Sequence, residues 1–137
     1  MVINEDTVRC ASGQGRDLFK EVLEGKFGLV IVSPEMLTSH SFDLVLNNPG
    51  SQDLERLCLA FIDKCHLVEE QGADFRSCYK YIGDLHARLP TSAPWVAVSA
   101  TLPCDSFSCV MKSLSFHPGQ YIRTSLPIDN PNICYIP

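Results

Sequence analysis

Leu57-Cys58-Leu59-Ala60-Phe61-Ile62-Asp63-Lys64-Cys65-His66 is the stretch whose reading decides the fold. Six apolar residues ending in a carboxylate predict a buried strand, with Asp63 emerging at the carboxyl edge of a sheet. In open parallel sheets that edge is where ligands bind. A short polar loop then leads to Asp74-Phe75-Arg76. Phe75 to Leu89 predicts a helix of about four turns, with Tyr79, Ile82, Leu85 and Leu89 on one face. Pro90 and Pro94 bracket the next loop. Trp95-Val96-Ala97-Val98 predicts a second apolar strand, which ends in Ser99-Ala100-Thr101 and fits the same sheet.

Before this centre, Met1 to Asn4 reads as the end of a strand, and Arg9 to Gly15, with a serine and two glycines, as a loop. Asp17 to Glu24 predicts a short amphipathic helix. Leu18 and Val22, and Phe19 and Leu23, recur at the helical spacing, and Gly25 suits the position after its end. Gly28 to Ser33 predicts a strand through Leu29-Val30-Ile31-Val32; Pro34-Glu35 ends it and starts a helical turn. Ser41 to Leu46 reads as a further helical turn, and Asn47-Asn48-Pro49-Gly50 as turn chemistry. Ser51 is placed to cap a helix through Leu54 and Arg56. After the centre come a helix from about Asp105 to Leu114 and short strands at Gln120 to Thr124 and Asn132 to Ile136. Strands alternating with helices predict a three-layer α/β domain with a mostly parallel sheet.

A chain of 137 residues makes one domain or part of one. Hydrophobic content of 45% and charged content of 20% are globular values. The formal net charge of -5 excludes a basic footprint over the whole domain and leaves room only for local patches. No apolar run approaches the roughly 18 residues of a membrane span, and Met1 to Asp6 lacks the features of a secretory signal. The seven cysteines contain no C-x-x-C pair, which argues against zinc. They read as reduced thiols in an intracellular protein, several of them packing as small hydrophobes. Cys65-His66 is a poor thiol nucleophile and base, because adjacent residues at a strand end point to opposite sides and no oxyanion motif accompanies them.

Several short motifs fall in one register. Asp63-x-x-His66 is followed by Gly72-x-Asp74-Phe75-Arg76 with Tyr79, and then by Ser99-Ala100-Thr101. Ser33-Pro34-Glu35 precedes them and Asp129-Asn130-Pro131-Asn132 follows. In order and spacing this resembles RecQ-type DNA helicases of the DEAH-like superfamily 2: motif II, the aromatic-rich loop and motif III. The resemblance implies that residues 1–137 form the latter part of a first RecA-like motor domain, a partial P-loop NTPase domain lacking the P-loop strand. It implies ATP and Mg²⁺ as cofactors, DNA as partner, an intracellular and nuclear location, and descent from ATP-dependent 3'-5' helicases of recombination and repair. Asp63 would hold Mg²⁺ through water against nucleotide phosphates. His66 would link the nucleotide side to Ser99, Ala100 and Thr101, where the Ser99 and Thr101 hydroxyls would connect ATP to DNA. Ser33, Pro34 and Glu35 would meet the DNA backbone at a helix start, where free N–H groups suit phosphate. Phe75 and Arg76 would contact single-stranded bases, stacking being worth about 1–3 kcal/mol per base. Read without the register, each of these residues has an ordinary structural role as a cap, a strand end or a core side chain.

The departures from the family pattern matter equally. The residue after Asp63 is glutamate in the family and Lys64 here. A protonated lysine cannot serve as general base, and losing a positioned base costs roughly 10²–10⁴ in rate. The loop before Phe75 lacks the family tryptophan, Ser77 replaces its proline, and Glu69 and Glu70 add negative charge. No G-x-x-x-x-G-K-[ST] run occurs, and Gly13-Gln14-Gly15-Arg16-Asp17 does not supply one. Residues 1–137 are also expected to hold no second motor domain with its arginine finger. The expectation is a helicase-family fragment that is inactive by itself. The alternatives are a non-catalytic nucleic-acid-binding or protein-binding module, and a truncated reading of a gene for an active helicase. Without a P-loop strand, Trp95 to Ser99 would keep an unpaired edge, open to missing helicase segments or to another chain. The sequence leaves open whether Gln120 to Thr124 pairs there.

Overall fold

A computed structural model describes residues 1–47, 56–70, 78, 81–86 and 93–126. Strand β1 (Val2–Ile3) leads into helix α1 (Glu5–Gly13). The stretch from Arg9 was expected to be loop, and most of it is helix instead. The cause is a capping box: Thr7 N–H donates to Asn4 Oδ1 at 2.8 Å, and Asn4 N–H to Thr7 Oγ1 at 3.0 Å. These satisfy the first orphan donors and nucleate a turn that Cys10 and Ala11 carry onward. Helix α2 (Leu18–Leu23) starts where Asp17 accepts from the Phe19 and Lys20 amides, and Leu18 and Val22 are its buried positions. The chain then reverses at Gly25, whose φ of 67° is the left-handed geometry that glycine allows freely.

Strand β2 (Ile31–Val32) is shorter than expected and pairs in parallel with β1, Val2 opposite Ile31 and Ile3 opposite Val32. Helix α3 (Pro34–Leu37) carries its proline in the first turn, and Ser39 caps helix α4 (His40–Leu46) by accepting from the Phe42 amide. Strand β3 (Ala60–Ile62), helix α5 (Leu67–Glu70), the helical segment 81–86, strand β4 (Trp95–Ala97) and helix α6 (Cys104–Ser113) complete the described elements. β3 and β4 are parallel, with Ala60, Phe61 and Ile62 opposite Trp95, Val96 and Ala97.

Three expectations need correction. The described strands form two separate two-stranded parallel sheets, not one sheet in three layers. Leu57 to Ile62 is not buried on both faces: Ile62 is 6% exposed, whereas Leu59 and Phe61 stand 47% and 58% exposed, because among the described residues the helical core packs on the face that Ile62 occupies. Gln120 to Thr124 forms no strand, so it does not extend the β3–β4 ladder. The turn at residues 48–50, the Ser51 cap, the start of the Phe75 helix, Tyr79, Leu89, Pro90 and everything from residue 127 onward lie outside the described residues.

Two cores hold the elements. Ile3, Val22 and Val45 centre one, with Phe19, Val32 and Met36 against it. Ile62, Cys65, Val68, Ile82, Val110, Met111 and Leu114 form the other, with Leu37, Trp95 and Ala97 against it. Helix α3 therefore touches both, through Met36 and Leu37. Tyr81 Oη, donating to Asp43 Oδ1 at 3.1 Å, adds a polar tie between the 81–86 segment and α4.

Candidate functional site

The site is built where β3 and β4 end together. The ladder continues past both strands: the Val98 amide donates to the Ile62 carbonyl at 2.9 Å, and the Cys65 amide to the Val98 carbonyl at 3.0 Å. Those two bonds place the Asp63-Lys64-Cys65-His66 turn beside Ser99-Ala100-Thr101 at the carboxyl rim of one sheet. Asp63 is exposed, and its Oδ1 accepts from the Lys64 amide at 2.8 Å. Lys64 has φ of 53°, a left-handed conformation that costs a residue with a Cβ roughly 1–2 kcal/mol. The turn is closed by the Leu67 amide on the Lys64 carbonyl at 3.0 Å and runs into α5.

Adjacent side chains in this turn go to opposite environments. Cys65 is 2% exposed within the core, and burial pushes its thiol pKa upward, because a thiolate there would lose its hydration. A raised thiol pKa and no access make it a packing residue, as the sequence suggested. His66 turns to the other strand end, where Nδ1 lies 2.6 Å from Ser99 Oγ. The imidazole tautomer decides which of the two donates. Ser99 Oγ also accepts from the Thr101 amide at 3.2 Å, so one hydroxyl ties the histidine to the turn after β4. Ala100 and Thr101 are exposed beside it.

Ser33, Pro34 and Glu35 sit at the corresponding end of β2. The Ser33 amide donates to the Ile3 carbonyl at 3.1 Å, and Ser33 precedes α3 without a side-chain cap bond. Leu37, at the end of the same helix, packs on the core that holds Ile62 and Cys65. Phe75 and Arg76 lie outside the described residues.

A hydrated Mg²⁺ is commonly held by one or two carboxylates plus substrate phosphates. Exposed Asp63 fits the protein half of such a site. Among the described residues no three of His, Cys, Asp and Glu converge to hold a metal without phosphate.

Sequence reasoning missed the support beneath this rim. His86, in the 81–86 segment, stacks on Trp95 with ring centroids 4.5 Å apart and meets Phe116 edge-on at 4.9 Å. Its Nδ1–H donates to the Leu114 carbonyl at 2.8 Å, satisfying a helix-end acceptor and fixing the ring against the first residue of β4. Phe107 and Phe116 both meet Tyr121, and Arg123 lies 4.1 Å over the Phe107 ring. Beneath the same helix end, Gly83 packs so closely on the Ser113 backbone that a Cβ would overlap its carbonyl. The signal was present only as an unexplained Gly83 and His86 within a helical pattern.

No protein-family model matches the chain. Individual proteins do. It is 28% identical over 123 residues to the ATP-dependent DNA helicase RecQ of Haemophilus influenzae, covering 89% of the chain and 18% of that protein. It is 29% identical over 122 residues to the bifunctional 3'-5' exonuclease/ATP-dependent helicase WRN of Mus musculus, covering 89% of the chain and 8% of that protein. The chain is homologous to RecQ-family ATP-dependent DNA helicases. Identity rises to 41% over 73 residues with the mouse ATP-dependent DNA helicase Q5, across 53% of the chain and 7% of that protein. The RecQ homology therefore spans most of this chain and less than a fifth of each of these relatives. Among the described residues no helix is long and apolar enough to cross a membrane.

Proposed function

We propose that the chain is the latter part of a first RecA-like helicase domain, carrying the link between the ATP side and the DNA side, with residues 1–137 not sufficient by themselves to hydrolyse ATP. The observation that carries this reading is the 2.6 Å contact between His66 and Ser99, because it joins two motifs 33 residues apart in sequence at one sheet rim. Asp63 beside it is the residue for Mg²⁺, held through water, when nucleotide brings the phosphates. Bound Mg²⁺ would supply charge neutralisation there. Ser33, Pro34 and Glu35, and Phe75 and Arg76, are the residues offered to DNA. Lys64 stands where the general base is needed, and the chain contains no phosphate-cradling loop. No hydrolytic step follows from its own residues, and it does not unwind DNA alone. Nuclear location and a connection to recombination and repair belong to the same proposal.

The test pairs two measurements. ATP turnover stays at background with and without single-stranded DNA, and Lys64→Glu does not restore it. Affinity for single-stranded DNA falls as salt rises. DNA-stimulated turnover at ordinary helicase rates would overturn the loss of hydrolysis, and a salt-independent response or no binding would overturn the DNA contacts.

A second reading is favoured by the short ladder. Among the described residues β4 pairs with β3 alone, and a strand edge of this kind is where a further strand can add. A non-catalytic module that pairs this edge with missing helicase segments or with another chain accounts for that feature without DNA or ATP.

A further inference from the structure

We draw no further inference here: the strongest candidate, the apolar face that Leu59, Phe61 and Val96 leave exposed on the β3–β4 ladder, is an unpartnered sheet face, and nothing in the structure shows what covers it.

Discussion

Replacing Gly83 by alanine separates two physical effects of opposite sign. Position 83 is buried in the 81–86 helical segment. On helix propensity alone, alanine would stabilise by about 1 kcal/mol. The structure predicts the reverse. A Cβ at Gly83 would overlap the Ser113 carbonyl and stand 3.3 Å from Leu114 Cα, so its obstacle is backbone and not the end of a flexible side chain. Relief requires the segment and the end of α6 to move apart. That opens the contact among Ile82, Val110 and Leu114, which are 6%, 0% and 0% exposed. Overpacking of this kind costs about 1–3 kcal/mol. Because the clash is deep we take the upper part of that range, and after the propensity gain the net loss is about 1–2 kcal/mol. Urea unfolding reads it as a lower midpoint at unchanged slope. Gly13→Ala is the control. That residue closes α1 with nothing within 4 Å of an added Cβ, and the change should raise the midpoint slightly. If Gly83→Ala were as stable as the parent, the close approach of the two backbones would be wrong, and with it the support under β4.

Lys64→Gly should raise stability by up to about 1 kcal/mol, since glycine takes the left-handed conformation without the Cβ conflict but gives back part of the gain in unfolded-state entropy. An unchanged or lower urea midpoint would contradict the turn geometry. Thiol labelling near pH 8 should modify exposed Cys10, Cys58, Cys104 and Cys109 and spare Cys65, as read by peptide mass mapping. The sign follows from burial: a thiol pKa above its ordinary value leaves less thiolate at any given pH, so Cys65 labelling should rise only at higher pH or on unfolding. Rapid labelling of Cys65 in the folded protein would show that its burial is misjudged.

What the sequence made legible was local and periodic. Leu18 and Val22 marked the buried positions of α2, Asp17 and Gly25 marked its ends, and Pro34 marked the start of α3. The apolar runs located β3 and β4, because a short continuous apolar run ending in small or acidic residues reads as a strand. The misses were tertiary or a matter of competing signals. Ser12, Gly13 and Gly15 suggested a loop, but the Asn4–Thr7 capping box outweighed them. Phe61 read as buried because its strand is apolar throughout. Whether a second face is covered depends on what packs there, which no single strand encodes. For the candidate site, motif spacing singled out Asp63, His66 and Ser99, and the structure brings the last two into contact. The stack of His86 on Trp95 was not, since it depends on how the 81–86 segment crosses β4.

The most direct test of the account is a double-mutant cycle in His66→Ala and Ser99→Ala, followed by urea unfolding. A part-buried hydrogen bond of 2.6 Å should couple the two positions by about 0.5–1.5 kcal/mol, so that the double variant loses less than the two single losses added together. Strictly additive losses would mean that the two strand ends do not meet, and the central claim would fall with them.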